Sequence, residues 1–148
     1  MTYRKAEIND TELIYQFIME LAEYEGLANE VTTTIDTLKE SLFERNSAEV
    51  IIVEEDNKNI GFCLYFYNFS TFLGKPGLYI EDLYIRKEYR GEGHGKKLLE
   101  HMVKLAKQEN LGRVEWWCLD ENKPSIDFYK SQGAQMMDEW TVFRISVN

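Results

Sequence analysis

A strand, a glycine-rich turn and a helix follow one another between residues 78 and 106, and this stretch constrains the fold most. Residues 78–85 (LYIEDLYI) form an apolar, β-branched and aromatic run, which predicts a buried strand. From Leu98 onward the apolar residues recur at helical spacing. A glycine-rich turn that opens a helix leaves backbone N–H groups without partners at the positive end of the helix dipole. The turn therefore predicts a phosphate site, and its residues are Arg90, Gly91, Glu92, Gly93, His94 and Gly95.

The charge and spacing of this turn indicate which polyphosphate it binds. Residues 86–97 carry five basic and two acidic side chains, net +3 in a chain of net charge −9. A P-loop needs a hydroxyl where Lys97 stands, and the dinucleotide fingerprint needs a glycine where Lys96 stands. The pattern R/Q-x-x-G-x-G/A fits in full, as Arg90, Gly93 and Gly95. The alternative is an ordinary glycine-rich turn that binds no ligand.

This last pattern is the pyrophosphate-binding signature of the GNAT acetyltransferases, and the chain resembles that family. The predicted element order, β-α-α-β-β-β-α-β-α-β-β, matches the family over nearly the whole chain. The resemblance implies an α/β GNAT fold, a mixed central sheet of about seven strands with helices on both faces. It is sharpest at 78–99 and 122–134. Together with residues 21–25 (LAEYE), these segments are similar to the diamine (spermidine/spermine) acetyltransferase branch.

Periodicity and turn residues place the other elements. Asn9 and Thr33 are the predicted caps of two early helices. Gly133 is predicted to close a short helix over 126–132. The predicted strands outside the central stretch cover 3–8, 49–53, 60–67, 114–119, 134–138 and 140–147, and residues 68–77 are a predicted loop.

Length and composition indicate one domain spanning residues 1–148. The net charge of −9 argues against nucleic acid or an anionic membrane as partner, and no apolar run reaches membrane-spanning length. Cys63 and Cys118 lie in strand-like runs, which predicts buried thiols in a cytoplasmic protein rather than a disulfide or a reactive thiol. The two histidines, His94 and His101, lie far from the cysteines, so no metal site is expected.

The resemblance implies acetyl-CoA as cosubstrate and no metal cofactor. The backbone of Leu83 to Ile85 would pair with the pantetheine amides. Asn122 and Ser125 would contact the pantetheine arm, with helix capping alone as the alternative. We expect His94 to be solvated or to face the phosphates, and His101 to be exposed. The implied cofactor contacts are Leu83, Tyr84, Ile85, Arg90, Gly91, Gly93, His94, Gly95, Lys96, Asn122, Ser125 and Lys130.

Two side chains carry the implied chemistry. Tyr129 would protonate the leaving thiolate, a role that suits a phenol at neutral pH; the alternative is a core tyrosine. Glu81 would take the proton from the substrate ammonium, directly or through water, and Asp82 would help to hold the cation. Adjacent strand residues face opposite sides, so these two carboxylates converge only if a bulge intervenes. The alternative for them is a structural ion pair.

The same resemblance implies a set of residues that would bind the acceptor. Tyr24 and Glu25 match positions that line a polyamine channel, although a solvated helix end is equally compatible. Phe72 would hold an alkylammonium through cation–π attraction. Glu81 and Asp82 complete the implied substrate set. The C-terminal segment and the hairpin at 55–59 depart from the polyamine enzymes, which leaves the acceptor open.

The sequence thus predicts an enzyme that moves acetyl from acetyl-CoA to a primary amine of a small cation such as a polyamine, by direct attack in a ternary complex. A thialysine-like amino acid, an arylalkylamine, or a protein lysine or N-terminus are alternative acceptors. A non-catalytic acyl-CoA sensor is the alternative from another class. A homodimer is implied by the resemblance alone.

Overall fold

The structure, a computed structural model, describes residues 1–147 and comprises two compact units. The first unit is Met1–Trp116 and the second begins at Trp117. The single-domain interpretation stays a prediction. The first unit contains β1 (Thr2–Lys5), α1 (Thr11–Tyr24), α2 (Ile35–Lys39), β2 (Glu49–Glu55), β3 (Lys58–Ser70), β4 (Lys75–Ile85), α3 (His94–Gln108) and β5 (Val114–Trp116). The second unit contains α4 (Lys123–Ser131).

The sheet is mixed, as predicted, and has the order β1-β2-β3-β4-β5. The first four strands pair antiparallel, and β5 pairs parallel to β4. Within residues 1–147 the sheet has five strands, so the prediction of about seven was wrong. Residues 134–138 and 140–147 were the two predicted strands that did not form. Alternating apolar residues form a strand only where a second strand is available to pair with them.

Helices pack on both faces of the sheet, which confirms the α/β prediction. Paired strand residues share a face, and Phe62 of β3 pairs with Ile52 of β2 on the face that receives α1. The ring of Phe17, on α1, stacks on that of Phe62 at 5.3 Å between centroids. On the opposite face the ring of Tyr3, in β1, stacks on His101 of α3 at 4.1 Å. His101 is therefore half-buried, and its predicted exposure was wrong.

Several predicted boundaries moved. Residues Ile8–Asp10 form a 3₁₀ turn closed by Glu7 and Asp10, so Asn9 is not the cap of α1. Thr34, not Thr33, caps α2, because its side chain accepts the backbone N–H of Thr37 at 3.1 Å. Gly133 closes α4 with a φ of 92°, as predicted.

The predicted loop at 68–77 is mostly strand. β3 and β4 continue through it and leave only a tip at residues 71–74. In the described part of the chain, every helix is too short or too polar to cross a membrane.

Candidate active site

A β-bulge in β4 lies at the centre of the candidate site. Leu64 of β3 pairs with Asp82, whereas the next residue, Tyr65, pairs with Ile80. Glu81 is therefore the extra residue, and it has no partner in the ladder. Asp82 shares the face of Leu64, on which α1 and α2 pack. The bulge required for Glu81 and Asp82 to act together is present.

Two neighbouring carboxylates act on Asp82 at this bulge. Burial, followed by the charges of Glu81 and Glu25, raises the pKa of Asp82 to about 7. Asp82 is half-buried, while Glu81 is exposed. Partial desolvation also raises the pKa of Glu25, which follows the last residue of α1. The structure thus brings together Glu25, Glu81 and Asp82 as an acidic cluster, and an ammonium group would neutralise it.

One edge of β4 faces away from β3 beyond the bulge. The backbone N–H of Arg86 donates to Ile60 O at 2.7 Å, and such pairs alternate along an antiparallel ladder. The N–H and C=O groups of Leu83 and Ile85 therefore point to the opposite side. Within the described residues β5 pairs with β4 only as far as Ile80, so it does not reach this edge. Because Ile85 O accepts from Arg90 Nε, an extended ligand with amide groups can pair here with the N–H and C=O of Leu83 and with the N–H of Ile85.

Tyr84 differs from its two neighbours. Its backbone belongs to the β3 side of the ladder, and its side chain is buried. Its hydroxyl donates to Glu20 Oε1 at 3.0 Å. Burial, followed by that carboxylate, raises the pKa of Tyr84 to about 12. Its contact with a cofactor stays a prediction from the resemblance.

The glycine-rich turn presents its backbone outward. Gly91 and Gly93 have φ values of 83° and 82°, and Gly93 is the N-cap of α3. Among the described side chains none caps this helix, so the N–H groups of its first turn remain available. A Cβ atom added at Gly91, Gly93 or Gly95 would meet nothing within 4 Å, so the outer side of the turn is open. These features fit a pyrophosphate group, with Lys96 exposed beside it.

Arg90 connects this turn to the end of α1. Its Nε donates to Ile85 O at 2.9 Å. Its guanidinium lies 4.3 Å from the ring centre of Tyr24 and 5.4 Å from that of Tyr84. The three residues line an open groove of about 730 Å³ between α1 and the end of β4. Tyr24, predicted to contact substrate, thus contacts the arginine of the phosphate signature, while Glu25 lies near Asp82.

His94 is not solvated, which was one of its two predicted alternatives, and a position facing the phosphates stays a prediction. Its side chain is only 5% exposed, and Nε2 lies 2.9 Å from Glu55 Oε2 and 3.1 Å from Glu92 Oε2. Only the backbone of His94 therefore remains suited to a phosphate. Glu55 was not predicted as part of the site, because no local sequence pattern connects it to His94, 39 positions further along the chain.

Phe72 is not brought to the acidic cluster within this chain. It lies at the β3–β4 hairpin tip and is fully exposed. Glu81 lies six residues beyond Lys75, the first residue of β4. At about 3.3 Å per strand residue, that distance along β4 is about 20 Å.

The second unit contains the remaining predicted residues. Asn122 caps α4, and its side chain accepts the backbone N–H of Ser125 at 3.3 Å. Tyr129 is half-buried, with its ring 5.4 Å from that of Phe128. Lys130 is exposed in the last turn. The capping role of Asn122 is confirmed, and the roles of all four residues toward a cofactor stay predictions.

Comparisons with known proteins identify the class. Residues 12–134 match the acetyltransferase (GNAT) family. A bovine thialysine N-epsilon-acetyltransferase is 32% identical over 153 residues, covering 95% of this chain and 89% of the relative. The L-ornithine N5-acetyltransferase NATA1 of Arabidopsis thaliana is 45% identical over 86 residues, but these cover only 58% of this chain and 38% of that protein.

A solved structure also supports this family assignment. The crystal structure of a predicted acetyltransferase of Clostridium acetobutylicum with acetyl-CoA matches with a TM-score of 0.76 and 26% identity, covering 97% of this chain and 95% of that one. The chain belongs to the GNAT family and is an N-acetyltransferase. The glycine-rich turn and the predicted order of strands and helices already indicated this family from the sequence.

Proposed function

We propose that this enzyme transfers acetyl from acetyl-CoA to a primary amine of a small cationic acceptor, by direct attack in a ternary complex. The acidic cluster of Glu25, Glu81 and Asp82 is the observation that carries the proposal. Asp82, together with the two carboxylates whose charges act on it, favours a ligand with an ammonium group, and more strongly one with two. The open turn at 91–95 would receive the pyrophosphate of acetyl-CoA, and the edge of β4 at Leu83 and the Ile85 N–H would pair with its pantetheine.

The reaction requires one proton to leave the acceptor and one to reach the sulfur. The ammonium loses a proton to a carboxylate, and the neutral nitrogen attacks the thioester carbon. The C–N bond forms as the C–S bond breaks, and the thiolate receives a proton from the Tyr129 hydroxyl, as the family resemblance implies. Acetylated amine and CoA are the products.

Two carboxylates at the bulge are candidates for the first proton transfer. The sequence analysis assigned this role to Glu81, and that assignment stays a prediction. A general base works best when its pKa lies near the working pH, and Asp82 has a pKa of about 7. We therefore propose that Asp82 accepts the proton while Glu81 and Glu25 hold the cation.

The acceptor has two candidate classes. A polyamine agrees with the acidic cluster and with a human spermidine/spermine N(1)-acetyltransferase-like protein that is 27% identical over 154 residues. The side-chain amine of a diamino acid agrees with the thialysine and ornithine enzymes described above. Its α-carboxylate would require a cationic partner, which the three carboxylates of the acidic cluster do not supply.

Thiol release from acetyl-CoA across an amine panel tests the proposal. The panel contains spermidine, spermine, putrescine, thialysine, ornithine, an arylalkylamine and a lysine peptide, with a no-amine control. Fast release with the diamines or diamino acids supports the acidic cluster as the acceptor site. Release with the arylalkylamine alone would contradict that assignment. Binding of acetyl-CoA without release for any amine would favour the sensor.

A further inference from the structure

His94 connects two elements that are distant in sequence. It is the first residue of α3 and follows Gly93 in the glycine-rich turn, whereas Glu55 is the last residue of β2. Nε2 of His94 lies 2.9 Å from Glu55 Oε2 and 3.1 Å from Glu92 Oε2. The imidazole is almost completely buried, and Glu55 is partly buried. We call these three residues the turn clamp.

The geometry favours a hydrogen bond at this cluster over a bound metal. The His94 Nδ1 atom is buried and has no hydrogen-bond partner in the described part of the chain. A neutral ring with its proton on Nε2 donates to the carboxylates and leaves Nδ1 as an acceptor. A metal on Nε2 would place the proton on Nδ1, where a buried donor would lack an acceptor. Metal-bound histidines ordinarily donate that second N–H to a partner.

The turn clamp contacts the glycine-rich turn, which must keep one conformation to bind a pyrophosphate. Gly91 and Gly93 have positive φ values and glycine's wide conformational freedom, so an isolated turn of this kind would sample many shapes. Ordering it at the moment of binding would cost conformational entropy. The turn clamp joins Glu92 and His94, which lie on either side of Gly93, and connects His94 to Glu55 at the β2–β3 hairpin.

We infer that Glu55 and His94 are positioning residues that preorganise the glycine-rich turn for the pyrophosphate of acetyl-CoA. This inference rests on the proposed use of acetyl-CoA. Neither side chain needs to touch the cosubstrate, because the backbone N–H groups of the turn make the contact. The clamp therefore controls affinity for the donor and leaves the chemical step unchanged.

The test compares three variants in the full chain. Glu55→Ala removes one acceptor of the clamp, and Glu55→Gln keeps an acceptor oxygen but removes the charge. Asp56→Asn is the matched control, because Asp56 is exposed, neighbours Glu55 and has a φ of 51° that asparagine tolerates. We expect Glu55→Ala to raise the KM for acetyl-CoA about five- to tenfold with kcat little changed. Glu55→Gln should stay within about twofold of the wild type, and Asp56→Asn should match it.

A second donor separates positioning from general damage. S-acetyl-pantetheine lacks the pyrophosphate, so we expect its kcat/KM to be equal in the wild type and Glu55→Ala. An equal loss with both donors, or no loss with either, would overturn the inference. Loss of acetyl-CoA affinity in wild-type protein treated with EDTA would also overturn it, in favour of a metal at the clamp.

The clamp can still be tested if the proposed acetyl transfer is wrong. Should the wild type acetylate no amine, the dissociation constant of CoA, measured by calorimetry, replaces KM. A weaker constant in Glu55→Ala than in Asp56→Asn would then support the clamp alone. A wild type that does not bind CoA would refute both.

Discussion

The pH dependence of acetyl transfer offers the sharpest test of the acidic cluster. Asp82 has a pKa of about 7, against an ordinary value of 3.8. If its carboxylate takes the proton, kcat/KM falls about tenfold for each pH unit below 7. Removing the charge of Glu81 makes the Asp82 carboxylate easier to form, so Glu81→Gln shifts this acidic limb to lower pH. The variant would gain relative activity at pH 6.

The size of the shift follows from the order of its causes. Burial contributes most to the rise from 3.8 to about 7, Glu81 comes next and Glu25 last. Because burial contributes at least as much as Glu81, loss of Glu81 should lower the limb by at most about half of that interval, about 1.5 pH units. Glu25→Gln should shift the acidic limb of kcat/KM to lower pH by no more than Glu81→Gln does.

The assay is thiol release at saturating acetyl-CoA and low amine, from pH 5 to pH 9. Glu12→Gln is the charge-matched control, because Glu12 is exposed in the first turn of the same helix that Glu25 follows. We expect its limb to coincide with that of the wild type. An unmoved limb in Glu81→Gln, or an equal movement in Glu12→Gln, would refute the reasoning. Full activity in Asp82→Asn would show that Asp82 is not the base.

Three further results follow from the structure. Tyr129→Phe should lower kcat about 100-fold or more with an unchanged dissociation constant for CoA, and undiminished kcat at the pH optimum would exclude the acid role. Gly93→Ala should weaken CoA binding by about 1 kcal/mol, because φ is 82° at this N-cap, and calorimetry with Gly95→Ala as comparison would measure it. Asp82→Asn should raise the free energy of unfolding by about 1–3 kcal/mol at pH 8, measured in urea. The gain should vanish below about pH 4, because a raised pKa removes stability only as pH rises toward 7; an equal gain at both pH values would contradict the burial of a charged Asp82.

The features that could be predicted from the sequence are local. The turn at 90–95 and the helix after it depend on neighbouring residues, and the structure places them as predicted. The cap of α4 at Asn122 is likewise set within four residues. The contact between His94 and Glu55 depends instead on where α3 crosses the sheet, which no spacing encodes. The same holds for residues 134–147, where alternation alone did not establish a strand partner.

The bulge at Glu81, which the sequence suggested only as a condition for two carboxylates to converge, organises both halves of the site. It lies directly beyond Ile80, the last residue of β4 that pairs with β5. Within residues 1–147 the edge at Leu83 therefore has no strand partner on the β5 side, where an acyl donor would pair with it. On the α1 face, the same bulge places Asp82 beside Glu81 and near Glu25. An extra residue also bends the strand and increases its local twist. The donor edge at Leu83 and two of the three carboxylates of the acidic cluster, Glu81 and Asp82, are thus consecutive residues of β4, and the reacting groups would meet at the point where the ladder is interrupted.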